Sequence, residues 1–314
     1  MMKIDSSKKS PLKVTERDQL LLTKLAEYRV LSTEQIRYLC FPSVNRARKR
    51  MVHLYRHGLV SRFAPPVQRG DGSSQFLYRI TNKGMGLLAG ISASRIRVPR
   101  GVTASQSDHA LRINDVRINL ELASRTRDDL AMNFWKFDRD VKITVPVTLN
   151  HRLAHVPVIP DANFGLRIQD KDLNYMLEVD RGTAPLTRIR TKLEAYLTLW
   201  QSRPLMVQLG VPTFRLLWIT ASQRRMQNLV NVLQGLATMH PRTDIVVLTT
   251  QNQVQLDHPE NILGKVWHIT ANSEVLPASP FPVIPFERSR LHQVNHLCAN
   301  QKPELAKGDH GPGG

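Results

Sequence analysis

Apolar residues in the first third of the chain recur with helical spacing and then give way to short alternating runs. The helical patterns cover residues 15–28, 32–41 and 44–56. The first two patterns begin at Thr15 and Ser32, and the third follows Ser43. These residues are predicted N-caps, because a hydroxyl there accepts a hydrogen bond from a free backbone amide. Strand-like runs follow at residues 59–63 and 75–80, around a loop rich in Pro, Gly and Ser. This order predicts a winged helix-turn-helix.

The rest of the chain alternates apolar strand-like runs with amphipathic helices. The predicted strands cover residues 133–137, 141–147, 161–168, 175–179, 214–220, 244–249 and 266–269, and the helices cover 108–126, 185–201 and 224–239. The strand, helix and strand of residues 214–249 predict a parallel pair covered by helices. We therefore expect an α/β domain, so that the whole chain is α+β.

Composition shifts predict the domain boundaries. The predicted segments are a disordered basic arm at 1–13, the winged helix at 14–90, a linker at 91–107, the α/β domain at 108–272 and an irregular, partly disordered tail at 273–314. No apolar run approaches the length of a membrane span, and the N-terminus has no apolar signal core. We expect a cytoplasmic protein without a membrane partner.

Positive charge is concentrated in the first third of the chain. The formal net charge is +18, of which residues 1–100 carry +14, from 20 Lys and Arg against 6 Asp and Glu. The remaining residues have a net charge of only +4. A basic unit joined to a nearly neutral one is typical of a nucleic-acid-binding domain joined to a different effector domain.

The third helical pattern carries much of this charge on one face. In a helix-turn-helix, the N-terminal part of this helix reads base edges in the major groove. Asn45, Arg46 and Lys49 are therefore the predicted base readers, and Arg50 and Arg56 are predicted phosphate contacts. The full set of predicted DNA-binding residues is Asn45, Arg46, Arg48, Lys49, Arg50, His53, Arg56, and Arg62 and Arg69 in the wing. The alternative is a solvated basic helix face.

Acidic residues meet the ends of two predicted strands in the second domain. Asp161 begins one strand, whereas Glu178 and Asp180 end the next and point to the same side, being two residues apart. Lys192 follows on the next helix. Carboxylate oxygens suit Mg²⁺ or Mn²⁺, and such an ion activates water against a phosphodiester. We predict Asp161, Glu178 and Asp180 as metal ligands and, with Lys192, as catalytic residues. Strand-end acids that pair with arginine are the structural alternative.

These motifs resemble the bacterial replication-relaxation family. The matching residues are Pro160-Asp161-Ala162, the strand ending Glu178-Val179-Asp180-Arg181-Gly182-Thr183, the helix with Lys192 and Tyr196, and the segment from His109 through Asn114 to Val116. The resemblance implies a PD-(D/E)XK restriction-endonuclease-like domain, which has three layers and a mixed sheet. It also implies that His109 and Asn114 border the site. The nuclease pattern has a lysine where this chain has Asp180, and Lys192 is the candidate for the missing ammonium.

The resemblance implies a DNA-binding protein that acts in the replication, mobilisation or maintenance of a plasmid or other mobile element. It further implies a metal-dependent DNA endonuclease, with Mg²⁺ or Mn²⁺ as its cofactor. The expected partners are double-stranded DNA, other replication, transfer or mobile-element proteins, and a second copy of the chain. The alternative is a non-catalytic winged-helix regulator or adaptor, whose degenerate nuclease fold binds protein or DNA.

Overall fold

The first unit of the fold combines short helices with a small sheet. The computed structural model describes residues 12–64, 75–91, 102–103, 106–149, 152–202, 207–271 and 274–281. The elements of the first unit are α1 (Glu16–Tyr28), β1 (Leu31–Ser32), α2 (Thr33–Cys40), α3 (Val44–Arg56), β2 (Val60–Phe63), β3 (Leu77–Ile80) and α4 (Asn82–Ile91). The strands pair antiparallel in the order β1-β3-β2.

Side-chain caps fix where the first three helices begin. Thr15 and Ser32 each form a capping box, in which the hydroxyl and the side chain three residues later bond each other's backbone amides. Ser43 caps α3 through the amide of Arg46, at 3.4 Å. The three predicted N-caps are thus confirmed, because each depends only on a few neighbouring residues.

The second unit begins with the long helix α5 and contains most of the strands. Its elements are α5 (Ser107–Arg125), β4 (Leu130–Phe137), β5 (Ile143–Leu149), β6 (Arg152–Val158), β7 (Ala162–Ile168), β8 (Lys171–Asp180), α6 (Leu186–Gln201), β9 (Arg215–Thr220), α7 (Gln223–Leu236), β10 (Val246–Thr250), β11 (Trp267–Ala271) and β12 (Glu274–Ala278).

Seven of the described strands form one mixed sheet in the order β12-β11-β10-β9-β8-β7-β4. The three central strands, β8, β9 and β10, are parallel, and the outer pairs are antiparallel. Helices α6 and α7 form the two crossovers, as expected for parallel neighbours. The predicted mixed α/β class and the predicted parallel pair of β9 and β10 are confirmed.

Two strands depart from the sequence-based prediction. Strand β12 lies in the segment predicted to be an irregular tail, but it pairs with β11 along its length and extends the sheet to Ala278. Strand β6 pairs only with β5, in a hairpin separate from the main sheet. The polar and proline-containing sequence of both strands hides them, because one sits at an edge and the other is half exposed.

Helices cover both faces of the main sheet. On one face, α6 and α7 pack with the β5–β6 hairpin in a core that includes Leu193, Tyr196 and Trp218. On the other face, α5 packs against Phe164, Tyr175 and neighbouring strand residues. Alternate residues of β8 therefore point to different cores, which places Glu178 on the α6 side.

Several sequence-based predictions fall outside the described residues. They concern Arg69 with most of the wing loop, most of the basic arm and linker, and the chain beyond residue 281. Among the described helices, none is both long enough and apolar enough to cross a membrane.

Two glycines of α4 provide a matched test of the packing in the first unit. A Cβ at Gly84 would lie 2.3 Å from the Leu59 carbonyl oxygen, whereas one at Gly86 would meet no atom within 4 Å. Gly84→Ala should therefore lower the free energy of unfolding by about 2–3 kcal/mol through overpacking. Gly86→Ala should raise it by up to about 1 kcal/mol, because alanine favours a helix. Denaturant unfolding measures both, and equal effects would contradict the close helix–strand contact.

Candidate functional site

A cleft opens where β8 ends and α6 begins. Its volume is about 690 Å³. The lining residues that carry charge or an imidazole are His109, Asp161, Glu178, Asp180, Arg181, Arg188 and Lys192. Val156 and Pro157 of the β5–β6 hairpin also line the cleft. Carboxyl ends of parallel strands are a common position for functional sites in α/β sheets. The acidic and basic side chains of this cleft are of the kinds that bind charged ligands or take part in catalysis.

Asp161 and Glu178 meet across two strands. Ala162 pairs with Leu177 in the antiparallel register, so the next pair outward is Asp161 with Glu178. Residues opposite each other in such a pair lie on the same face of the sheet. The Asp161 carboxylate accepts a hydrogen bond from the Val179 amide at 2.7 Å and lies 3.0 Å from Nε2 of His109. The two predicted acids are thus brought together.

Glu178 is the most buried acid of the cleft, with 4% of its surface exposed. Its Oε2 lies 2.5 Å from Nζ of Lys192, and the Tyr196 hydroxyl donates to its Oε1. Lys192 and Tyr196 are four residues apart and therefore share one face of α6. Burial, and then the nearby charge of Asp161, raise the pKa of Glu178 to about 7, although Lys192 and Tyr196 favour the ionised form.

Asp180 is committed to a different interaction. Its carboxylate accepts from the Gly182 amide at 2.9 Å and pairs with Nε of Arg225 on α7 at 2.6 Å. Arg225 also donates to the Ala184 carbonyl at 2.5 Å. The predicted role of Asp180 as a metal ligand or catalytic residue is therefore corrected, because its charge is neutralised and its side chain is only 7% exposed. It fixes the turn between β8 and α6.

His109 borders the cleft, whereas Asn114 does not. Burial lowers the pKa of His109, but the hydrogen bond and charge of Asp161 outweigh burial and raise it above its ordinary value. Asn114 is 1% exposed and donates to the carbonyls of Tyr28 and Val30 in the first unit. The prediction for Asn114 is therefore wrong, because five residues along a helix turn a side chain to another face.

Sequence reasoning missed Arg225 and the role of Tyr196. Arg225 lies one turn into α7, far from Asp180 in the chain, and no local pattern links the two. The family pattern includes Tyr196, and its spacing of four residues from Lys192 was a usable signal of a shared role. Arg181, which follows Asp180 directly, pairs with Asp108 at 3.2 Å.

The predicted nucleic-acid face of α3 divides into exposed and occupied side chains. Asn45, Arg46, Arg48, Lys49 and Arg56 are exposed, and within the described residues none of these four cations pairs with an acid. His53 is half-buried and stacks near His57, with ring centroids 4.5 Å apart. Burial and the charge of Arg50 lower the pKa of His53, which therefore does not strengthen the positive face.

Arg50 is half-buried, and its charge is paired within the first unit. Its guanidinium bonds both carboxylate oxygens of Asp18, which is fully buried beneath the start of α1. Burial raises the pKa of Asp18, but Arg50 and Thr15 outweigh burial and lower it. The predicted phosphate contact by Arg50 is therefore corrected. Arg62 is half-buried, with its guanidinium 4.4 Å from the ring centroids of both Tyr55 and Phe76.

In the described part of the chain, no three His, Cys, Asp or Glu side chains are arranged to hold a metal ion. Asp161 and Glu178 remain a pair, because Asp180 is bound by Arg225.

The fold and the cleft define a mixed α/β protein with a polar, charged site at the strand ends. The family model described as replication-relaxation matches residues 22–209, which include most of the first unit and every lining residue of the cleft except Trp218. The chain belongs to the replication-relaxation family.

Similarity to other known proteins is limited. No curated protein matches the chain. Among solved structures, the restriction endonuclease FokI matches with a TM-score of 0.29 and 12% identity, over 78% of this chain. The match spans 44% of the FokI chain. At this TM-score the likeness supports no argument.

The buried carboxyl predicts an unusual dependence of stability on pH. Glu178 binds a proton more tightly folded than unfolded, since its pKa rises from 4.5 to about 7. Its contribution to stability is therefore complete below pH 4.5 and is lost as the pH rises through 7. Between pH 4.5 and about 7, the free energy of unfolding of Glu178→Gln should accordingly rise by up to about 3 kcal/mol relative to that of the unmodified chain.

The measurement is denaturant unfolding of both proteins from pH 4.5 to 8 with a chelator present. Glu16→Gln, at an exposed carboxylate, is the control and should show no such trend. A difference between Glu178→Gln and the unmodified chain that does not change with pH would contradict the buried, shifted carboxyl.

Proposed function

We propose that this chain is a DNA-binding protein that breaks phosphodiester bonds with the help of a divalent metal ion. The observation that carries the proposal is the contact between Lys192 and Glu178, with Nζ and Oε2 at 2.5 Å. It supplies an ammonium beside the Asp161–Glu178 pair, although Asp180 occupies the usual position of the nuclease lysine. Two carboxylates and an adjacent lysine are side chains suited to metal-assisted hydrolysis.

Asp161 and Glu178 fit a Mg²⁺ or Mn²⁺ ion by their chemistry. Mg²⁺ commonly keeps several waters and uses only one or two protein carboxylates, so a third acid is not required. Burial, and then the charge of Asp161, raise the pKa of Glu178, and a bound cation would relieve the repulsion between the two carboxylates. The ion would supply an activated water and neutralise charge on the phosphate.

The remaining residues of the cleft would orient the acids and the substrate. The Val179 amide and His109 fix the Asp161 carboxylate, and Tyr196 fixes Glu178. Lys192 is one-third exposed, so its ammonium can meet a phosphate oxygen while it remains beside Glu178. A positioned cation stabilises the negative charge that develops during phosphodiester cleavage.

The first unit supports DNA binding through α3. Its order of elements matches that of a winged helix, in which the helix corresponding to α3 enters the major groove. Arg46, Arg48, Lys49 and Arg56 are all exposed, and they pair with no acid in the described part of the chain. We propose Asn45, Arg46 and Lys49 as base readers, and Arg48 and Arg56 as phosphate contacts. The duplex would then be held by a surface distinct from the cleft.

Family membership supports a role in the replication, mobilisation or maintenance of a plasmid or another mobile element. In such a role, duplex DNA is the substrate, and other replication or transfer proteins are the expected partners. A second copy of the chain is a further proposed partner.

A non-catalytic DNA-binding regulator is the second candidate. It is favoured by the engagement of all four oxygens of Asp161 and Glu178, each of which already has a protein partner. In this case the cleft is a degenerate nuclease site whose carboxylates bond only protein groups, and the first unit alone carries the function.

Nicking of supercoiled plasmid by the full chain with Mg²⁺ or Mn²⁺ distinguishes the two candidates. Asp161→Ala and Glu178→Ala should abolish nicking and leave duplex affinity nearly unchanged, because α3 carries the binding. Lys192→Ala should slow nicking by roughly 10²–10³-fold, the usual loss for one group that stabilises developing charge. Lys171→Ala, at the exposed start of β8, is the matched control and should nick at the original rate.

Chelator should stop the reaction. Nicking that survives Glu178→Ala would indicate a contaminating nuclease. A folded chain that binds duplex but nicks with neither metal would favour the non-catalytic candidate.

Arg48 and Arg50 provide a matched test of the proposed DNA face. Arg48→Ala should reduce the slope of log affinity against log salt by about 0.9, the value for one phosphate contact. Arg50→Ala should leave that slope unchanged and lower the free energy of unfolding by about 1–3 kcal/mol, because buried Asp18 loses its partner. Duplex affinity of the full chain at several salt concentrations, with thermal unfolding, measures both. Equal losses of slope would show that the DNA face is misassigned.

A further inference from the structure

Helix α5 belongs to two hydrophobic cores at once. Ile118 and Leu122 pack into the core of the first unit. Ile113, Val116 and Leu120, which alternate with them along the helix, pack against the main sheet. The first unit and the second unit, which contains the cleft, are therefore joined by a shared helix as well as by the chain between them.

Polar contacts lock the first unit onto the middle of this helix. Asn114 donates to the carbonyls of Tyr28 at 3.2 Å and Val30 at 2.6 Å. Gln35, in the first turn of α2, donates to the Leu111 carbonyl at 2.8 Å and to Asp115 at 2.7 Å. Both side chains are at most 2% exposed. Buried hydrogen bonds of this kind specify one arrangement, because no water is available to replace them.

The N-terminal end of the same helix reaches the cleft. His109 contacts Asp161 at 3.0 Å, and Asp108 pairs with Arg181 at 3.2 Å. His109 and Asn114 are five residues apart, a rise of about 7.5 Å along a helix. The contacts that hold the first unit and the contact that orients the cleft acid are therefore less than two turns apart.

We infer that Asn114 and Gln35 are positioning residues, which hold α3 at one fixed place relative to the cleft. This inference rests on the proposed function and adds a geometric consequence. DNA bound by α3 meets the cleft at a single distance from the bound sequence, and the bond to be broken is selected by that distance. A pair of units joined only by a linker would instead reach many positions along the duplex.

A tethered radical source tests this geometry without relying on nicking. The full chain is prepared with Thr183→Cys, at the exposed rim of the cleft, as the attachment site, and with Cys298→Ser to remove a second thiol. The remaining cysteine, Cys40, is buried. Iron-EDTA is attached at residue 183, and the probe is a duplex selected from a random pool by the unmodified chain. Strand breaks should fall within one helical turn, about 10 base pairs. Adding Asn114→Ala with Gln35→Ala should spread them over more than one turn.

Asn119→Ala is the matched control for the loss of a buried amide. Asn119 lies on the same helix and is fully buried, but its side chain makes no hydrogen bond within the described residues. It should leave the window of strand breaks unchanged. Strand breaks that spread over more than one turn without the Asn114 and Gln35 substitutions would overturn the inference. So would breaks that stay within one turn in the double variant at equal duplex affinity.

A second measurement separates this inference from the proposed function. Spin labels at Lys83→Cys in the first unit and Thr183→Cys in the cleft report the distance between the units by pulsed electron paramagnetic resonance, without DNA. A narrow distribution that broadens with Asn114→Ala supports the fixed geometry. A distribution that is equally broad in both proteins overturns it. Absence of duplex binding with the narrow distribution retained overturns the proposed function and leaves the geometry intact.

Discussion

The burial of Glu178 is the constraint on which the rest of the cleft depends. A carboxylate removed from water at the end of a central strand requires compensation from neighbouring groups. Lys192 and Tyr196 provide it from one face of α6, so the helix must start close to the strand end. That start is fixed by the Asp180–Arg225 pair, which ties the intervening turn to α7. One buried charge thus explains the placement of two helices and a turn.

The same logic explains why the acids divide into different roles. Burial, and then the charge of Asp161, raise the pKa of Glu178, whereas Asp180 is neutralised by Arg225. Titratable groups whose pKa is shifted by burial and by a nearby charge are commonly found at functional sites. Glu178 and Asp180 are two residues apart on one strand, but their surroundings are opposite.

Local sequence signals predicted the beginnings of helices and the parallel strands, because each depends on a few neighbouring residues. They also brought Asp161, Glu178 and Lys192 to one place, since a hairpin and a short connection leave little freedom. They failed for Arg50, Asn114 and Asp180, whose partners come from other elements. A basic residue on a helix has the same local pattern whether it faces solvent or a buried acid, so only tertiary packing distinguishes the two cases. Strand β12 was missed for a related reason, because an edge strand needs only one neighbour.

The β5–β6 hairpin has a consequence for how this architecture can diversify. Among the described strands, β5 and β6 bond only to each other, yet Val156 and Pro157 line the cleft. A change in the length of the hairpin would therefore alter the lining of the cleft without breaking a hydrogen bond of the main sheet. The hairpin is thus free to vary, while the acids and α6 remain under the constraint of the buried carboxyl.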